Sequence, residues 1–118
     1  RPYCHVKDFA RLIHKVISAK NSLTAYQIFN AGGNKNNFTK KKIAYTIRDK
    51  IGGKIELLKK SQDKRNYIVD FSKVKKILNF IPKYSVSYGV TEILRNLKME
   101  RNKKINYKKL GNFKINKK

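Results

Sequence analysis

The chain has 118 residues, with 24 lysines and 6 arginines against 7 acidic residues, a formal net charge of +23. That length suits one small hydrophobic core and not two, and a single cysteine, Cys4, excludes an internal disulfide. His5 and His14, nine residues apart and on opposite sides of any shared helix, argue against a zinc site, and no apolar run reaches the roughly 18 residues of a membrane span.

Taken in chain order, Pro2 holds residues 1–4 extended. Phe9, Leu12, Ile13, Val16 and Ile17 recur at helical spacing over residues 6–19, and Asp8 falls in the first turn, where a negative charge suits the helix dipole. Residues 25–30 alternate through Tyr26, Ile28 and Asn30 and predict a strand ending at Gly32 and Gly33. Thr39 is the expected N-cap of a helix over 40–51 that turns Ile43, Ile47 and Ile51 inward and stops at Gly52. A short strand is expected over 54–58.

Arg65 then lies in a polar turn ahead of a helix with its start signal at Asp70 and its stop at Pro82. Val74, Ile77 and Leu78 share one face of that helix, while Lys73, Lys75 and Lys76 face water. A planar guanidinium on the preceding loop can grip two phosphate oxygens at once. A last helix is expected over 86–97. Residues 99–118, in which lysine alternates with asparagine, are expected to form a basic, mobile tail.

These motifs carry a resemblance. Asp63-Lys64-Arg65-Asn66-Tyr67, with Asp70-Phe71-Ser72-Lys73-Val74 and Leu78-Asn79-Phe80-Ile81-Pro82 after it, resembles the C-terminal signature of extended short-chain dehydrogenases/reductases. These are the NAD(P)-dependent nucleotide-sugar epimerases and dehydratases. Arg1-Pro2-Tyr3-Cys4-His5-Val6-Lys7-Asp8 resembles the family's Arg-x-Tyr-x-His-Val-x-Asp segment, and Ile28-Phe29-Asn30-Ala31-Gly32 its later Tyr-Asn-x-Gly strand end. The segment Ser85 to Ile93 sits where the family has its last helix. The resemblance covers residues 1–98 in the family's order.

The resemblance implies an α/β fold: the C-terminal substrate-binding part of such an enzyme, with the Rossmann core mostly absent. By the motif match Arg65 holds the diphosphate of a nucleoside diphosphate-sugar, and Arg1 reaches the same nucleotide from the opposite side. Tyr3 lines the pocket beside Arg1, and Tyr67 is a candidate for ring contact or a hydroxyl bond. The family's chemistry uses a Gly-rich dinucleotide loop and a Tyr-x-x-x-Lys pair, and neither is expected here, since Gly32-Gly33 and Gly52-Gly53 are isolated pairs. NAD or NADP would therefore be bound by a missing N-terminal Rossmann domain, with none bound by this chain alone, and the intact enzyme could form a homodimer. No catalytic residue and no metal ligand is assigned within the 118 residues.

Plainer roles suit the remaining polar groups. A histidine at a strand-to-helix junction and an acid in a first turn satisfy local backbone, so His5 and Asp8 read as structural. Asn30 is expected to fix the turn into Ala31-Gly32, Cys4 to be a small buried side chain, and the lysine runs to be solvated faces.

The charge itself admits an alternative, a small basic nucleic-acid-binding protein. Against a nucleic-acid partner stand the scarcity of arginine and the spread of the cations, with +16 on residues 1–98 and +7 on residues 99–118. The accompanying 13 isoleucines and 12 asparagines suggest codon composition as a source of the lysines. A reducing cytoplasm is the expected compartment, with no membrane partner. The two readings differ physically: a substrate-binding portion should expose apolar surface where the missing sheet packs, and a nucleic-acid binder should not.

Overall fold

The computed structural model describes residues 1–56 and 65–100, the last of these by its backbone alone. The described residues form five α-helices: α1 (Val6–Ile17), α2 (Asn21–Thr24), α3 (Lys40–Ile51), α4 (Ser72–Leu78) and α5 (Val86–Glu100). A 3₁₀ turn covers Asn34–Asn36. Among the described residues there is no strand, only one antiparallel bridge between Pro2 and Asn37. These residues are therefore helical in class, and the α/β expectation finds no sheet in them.

Local signals set most helix ends. The Thr39 hydroxyl accepts from the Lys42 N–H at 3.1 Å and starts α3, and Gly52, at φ +74°, ends it in a conformation that a side chain would strain. Asp70 Oδ1 accepts from the N–H and hydroxyl of Ser72, at 3.1 and 2.7 Å, so α4 begins two residues past its start signal. Asn79 adopts the left-handed conformation and returns its N–H to Val74, closing α4 before Pro82 is reached. The expected helix over 86–97 runs three residues further, to Glu100.

Both predicted strands depart from expectation. Residues 21–24 form the short α2 instead of leading into a strand, and Tyr26 follows at φ +56°, a left-handed kink that ends any extended run. Among the described residues no segment supplies ladder hydrogen bonds to residues 25–30, and a strand without a partner has nothing to hold it extended. Residues 54–56 are likewise irregular; positions 57 and 58 of that expected strand, the Asp63–Lys64 part of the arginine turn and the tail beyond Glu100 lie outside the described residues.

The core is small. Leu12, Phe71, Val74, Leu78 and Phe80 are buried, with Val16, Phe29, Ala31, Val69 and Ile77 packed around them. It joins one side of α1 to α4, as the shared face of Val74, Ile77 and Leu78 predicts. Gly32 is part of the same packing: the Phe71 ring lies so close that a Cβ there would stand 2.6 Å from it. The helix α3 contributes no buried residue, although it touches α5 and Lys50 donates to the Thr91 hydroxyl at 2.8 Å. Ile43 is half-buried and Ile51 exposed, so the inward isoleucine stripe expected for α3 is not realised among the described residues.

Only part of the apolar face of α1 is covered. Leu12 and Val16 meet the core, while Phe9 is 49% exposed, Ile13 46% and Ile17 78%. Together with Phe29 and Ala31 they line an open groove of about 250 Å³.

Candidate nucleotide-phosphate site

The chain's first residues are tied to the segment after the 3₁₀ turn. The Phe38 N–H donates to the Arg1 carbonyl at 2.8 Å, the Arg1 amino group donates to the Phe38 carbonyl at 2.7 Å, and the Tyr3 N–H donates to the Asn36 carbonyl at 2.9 Å. This pairing fixes the backbone on both sides of Pro2. Arg1 is half-buried, and its Nη2 donates to the carbonyl oxygen of Arg65 at 3.3 Å. Two arginines 64 positions apart in sequence thus meet, with the Arg65 side chain on the exposed surface.

The two tyrosines stand differently. The Tyr3 ring packs edge-on against Phe38, with centroids 6.5 Å apart, and Lys42 Nζ lies 5.0 Å from the centre of the Phe38 ring. Tyr67, two residues past Arg65, is 47% exposed. Arg1 therefore reaches the backbone of Arg65, while the Tyr3 ring lies on Phe38 and Tyr67 is exposed two residues past Arg65.

Three asparagines hold the chain beyond Arg65. Asn37 pairs with Val69 twice, its Nδ2 donating to the Val69 carbonyl at 2.9 Å and its Oδ1 accepting from the Val69 N–H at 3.2 Å. Asn34 Oδ1 accepts from the Phe71 N–H at 2.8 Å, and its Nδ2 faces Asp70 and Ser72. Asn30 donates to the Asp70 carbonyl at 3.1 Å, so it fastens a segment 40 residues away instead of its own turn. Of the three, only Asn30 stood out in the sequence. The only local hint for the others is their density, Asn30, Asn34, Asn36 and Asn37 within eight positions.

His5 and Asp8 are structural groups in this geometry. His5 caps α1: its Nδ1 accepts from the Lys7 N–H, so the ring proton sits on Nε2 and donates to Glu92 Oε2 at 2.9 Å. Lys7 also bonds Glu92, and these partners, Lys7 first, hold the Glu92 carboxyl below its ordinary pKa while the lysine is pushed up. The Asp8 carboxylate is fully buried and accepts from the Lys83 and Tyr84 N–H groups, each at 2.9 Å, and from Arg11 at 2.5 Å. Burial pushes the half-buried Cys4 thiol up, and the Asp8 charge adds to that shift.

One sequence expectation needs correction. A Tyr-x-x-x-Lys spacing does occur, at Tyr3 and Lys7. The spacing aligns two side chains only on a continuous helix, and here the His5 N-cap falls between them. Tyr3 packs on Phe38, while Lys7 turns to Glu92 and lies within 6 Å of the Tyr84 and Tyr88 ring centres. The pair is not a side-by-side acid–base couple.

Among the described residues no group of three or more His, Cys, Asp or Glu could hold a metal ion, and no helix is long and apolar enough to cross a membrane. No family model, curated protein or solved structure matches the chain.

Proposed function

We propose that residues 1–98 are the nucleotide-binding portion of an NAD(P)-dependent epimerase or dehydratase acting on a nucleoside diphosphate-sugar. The observation that carries the reading is the contact of Arg1 with the Arg65 backbone, because these are the two arginines that the motif resemblance assigns to opposite sides of one nucleotide. A diphosphate bears two negative groups a few ångströms apart, and two arginines whose chains meet at the Arg65 carbonyl suit that demand. Tyr3 and Tyr67 add aromatic surface beside them.

The role of these residues is binding. Anchoring the diphosphate uses interactions remote from the reacting carbon to place the sugar against a nicotinamide. The reading requires a dinucleotide-binding sheet outside these 118 residues, which would supply the α/β architecture, the NAD or NADP site and the catalytic tyrosine. The uncovered apolar side of α1 is support for it, since such a layer would cover Phe9, Ile13 and Ile17.

The test is calorimetric titration of the full-length protein with a UDP-sugar and a dTDP-sugar. Replacing Arg65 by alanine is expected to weaken binding roughly 10- to 100-fold, the worth of one or two charge-assisted hydrogen bonds. Affinity unchanged by Arg65→Ala would remove the phosphate role. The alternative, a small basic nucleic-acid-binding protein, rests on the net charge of +23 and predicts RNA affinity that falls steeply with salt.

A further inference from the structure

We infer that Asn37 is the positioning residue that sets the spacing of the two arginines, an inference that rests on the nucleotide-phosphate reading of Arg1 and Arg65. Asn37 stands between the two arms of the site, paired with Pro2 on one side through the bonds of its neighbours Asn36 and Phe38 and bonded by its own side chain to Val69 on the other. Through its backbone it bridges Pro2, between the Phe38 bonds to Arg1 and the Asn36 bond to Tyr3. Through its side chain it grips the N–H and the carbonyl of Val69 together.

Val69 is four residues past Arg65, so the intervening chain can span at most about 14 Å. One end of this short loop is held at the Arg65 carbonyl by Arg1, and the other at Val69 by Asn37. Asn34 and Asn30 grip further along, at Phe71 and Asp70, where their bonds seat α4. Of the three asparagines, Asn37 alone grips the loop that carries Arg65 from a position paired with the backbone that follows Arg1.

The chemistry suits asparagine and no close substitute. A carboxamide offers one acceptor and a donor in one plane, matching the N–H and C=O of a single residue, and here both are used. Aspartate keeps the acceptor and loses the donor, leaving the Val69 carbonyl facing a negative oxygen. Alanine frees both backbone groups to water and lets the loop drift from Arg1. The guanidiniums themselves are untouched in either variant.

The prediction concerns the second phosphate. A loosened clamp still meets one phosphate with one arginine, but it no longer places two arginines on a diphosphate at once. In the full-length protein, Asn37→Ala is expected to lower affinity for UDP (or dTDP) roughly tenfold while affinity for UMP (or dTMP) changes little, so the diphosphate-to-monophosphate ratio collapses toward that of Arg65→Ala. A role in general stability alone would lower the melting temperature and weaken both nucleotides in proportion. Equal losses for the two nucleotides, or a diphosphate affinity unchanged by Asn37→Ala, would overturn the assignment of Asn37 and leave the nucleotide reading standing. If the parent protein binds neither UDP nor dTDP, both fall together. Should Asn37→Ala not fold, Asn37→Asp carries the test: a reduced ratio supports the role, and a parental ratio overturns it.

Discussion

Asp70 and Glu92 show how single carboxylates in this very basic chain are put to structural use. The Ser72 hydroxyl and N–H hold the Asp70 carboxyl below its ordinary pKa, with Asn34 and the Phe71 N–H adding to the effect. Glu92 is held down by Lys7 and then by His5. Both groups are thus more acidic when folded than when unfolded. Their contribution to stability is present above the unfolded values, about pH 4 to 4.5, and is lost as pH falls through the lower folded values. Lys7 is shifted the other way, so its contribution persists below about pH 10 and is lost as pH rises through its folded value. The urea midpoint should therefore fall in acid, and Asp70→Asn combined with Glu92→Gln should flatten that fall. An acid limb of unchanged depth in the double variant would show that other carboxylates control it.

At the scale of elements, the connection that matters most is the one between α1 and the chain entering α5. Asp8 projects from the first turn of α1, fully buried, and receives the N–H groups of Lys83 and Tyr84 and the guanidinium of Arg11. Those two residues follow Pro82 and have no helix to bond within, so without Asp8 their N–H donors would lose the acceptor the fold gives them. His5 and Glu92 make a second tie between the same elements. Removing the carboxylate leaves two part-buried donors and one cation without that acceptor. Asp8→Ala is expected to cost about 3 kcal/mol in chemical denaturation, and Asp8→Asn less, since its amide oxygen can still accept one bond. A loss near zero for Asp8→Ala would show that water replaces the carboxylate. With five buried apolar residues in the described core, a loss of that size is a large fraction of the whole stability.

For the molecule as a whole, two surfaces dominate. The charge of +23 opposes compaction and favours anionic partners. The groove along α1, lined by Phe9, Ile13, Ile17 and Phe29, is apolar and open. The groove is the place where this chain should stick to an apolar probe or to a covering layer. In the 118-residue chain, Ile13→Asp is expected to reduce binding of an apolar fluorescent dye several-fold with little change in melting temperature, because Ile13 is already 46% exposed and carries little of the core. Dye binding that is insensitive to Ile13→Asp would place the adhesive surface elsewhere.

The sequence alone determined the features whose causes lie within a few residues. The bounds of α3 follow from Thr39 and Gly52, the start of α4 from the Asp70–Ser72 turn, and its buried stripe from the spacing of Val74, Ile77 and Leu78. Arg1, Tyr3, Arg65 and Tyr67 could be singled out by motif, but their meeting could not. Tertiary structure alone decided that Arg1 touches the Arg65 backbone, that Asn37 pairs with Val69 at a separation of 32 residues, and that residues 25–30 find no strand partner among the described residues. The physical reason is common to all three. A cap or a helical stripe is satisfied by groups a turn away, whereas a strand, a clamp or an amide gripping distant backbone depends on which segment the folded chain brings alongside.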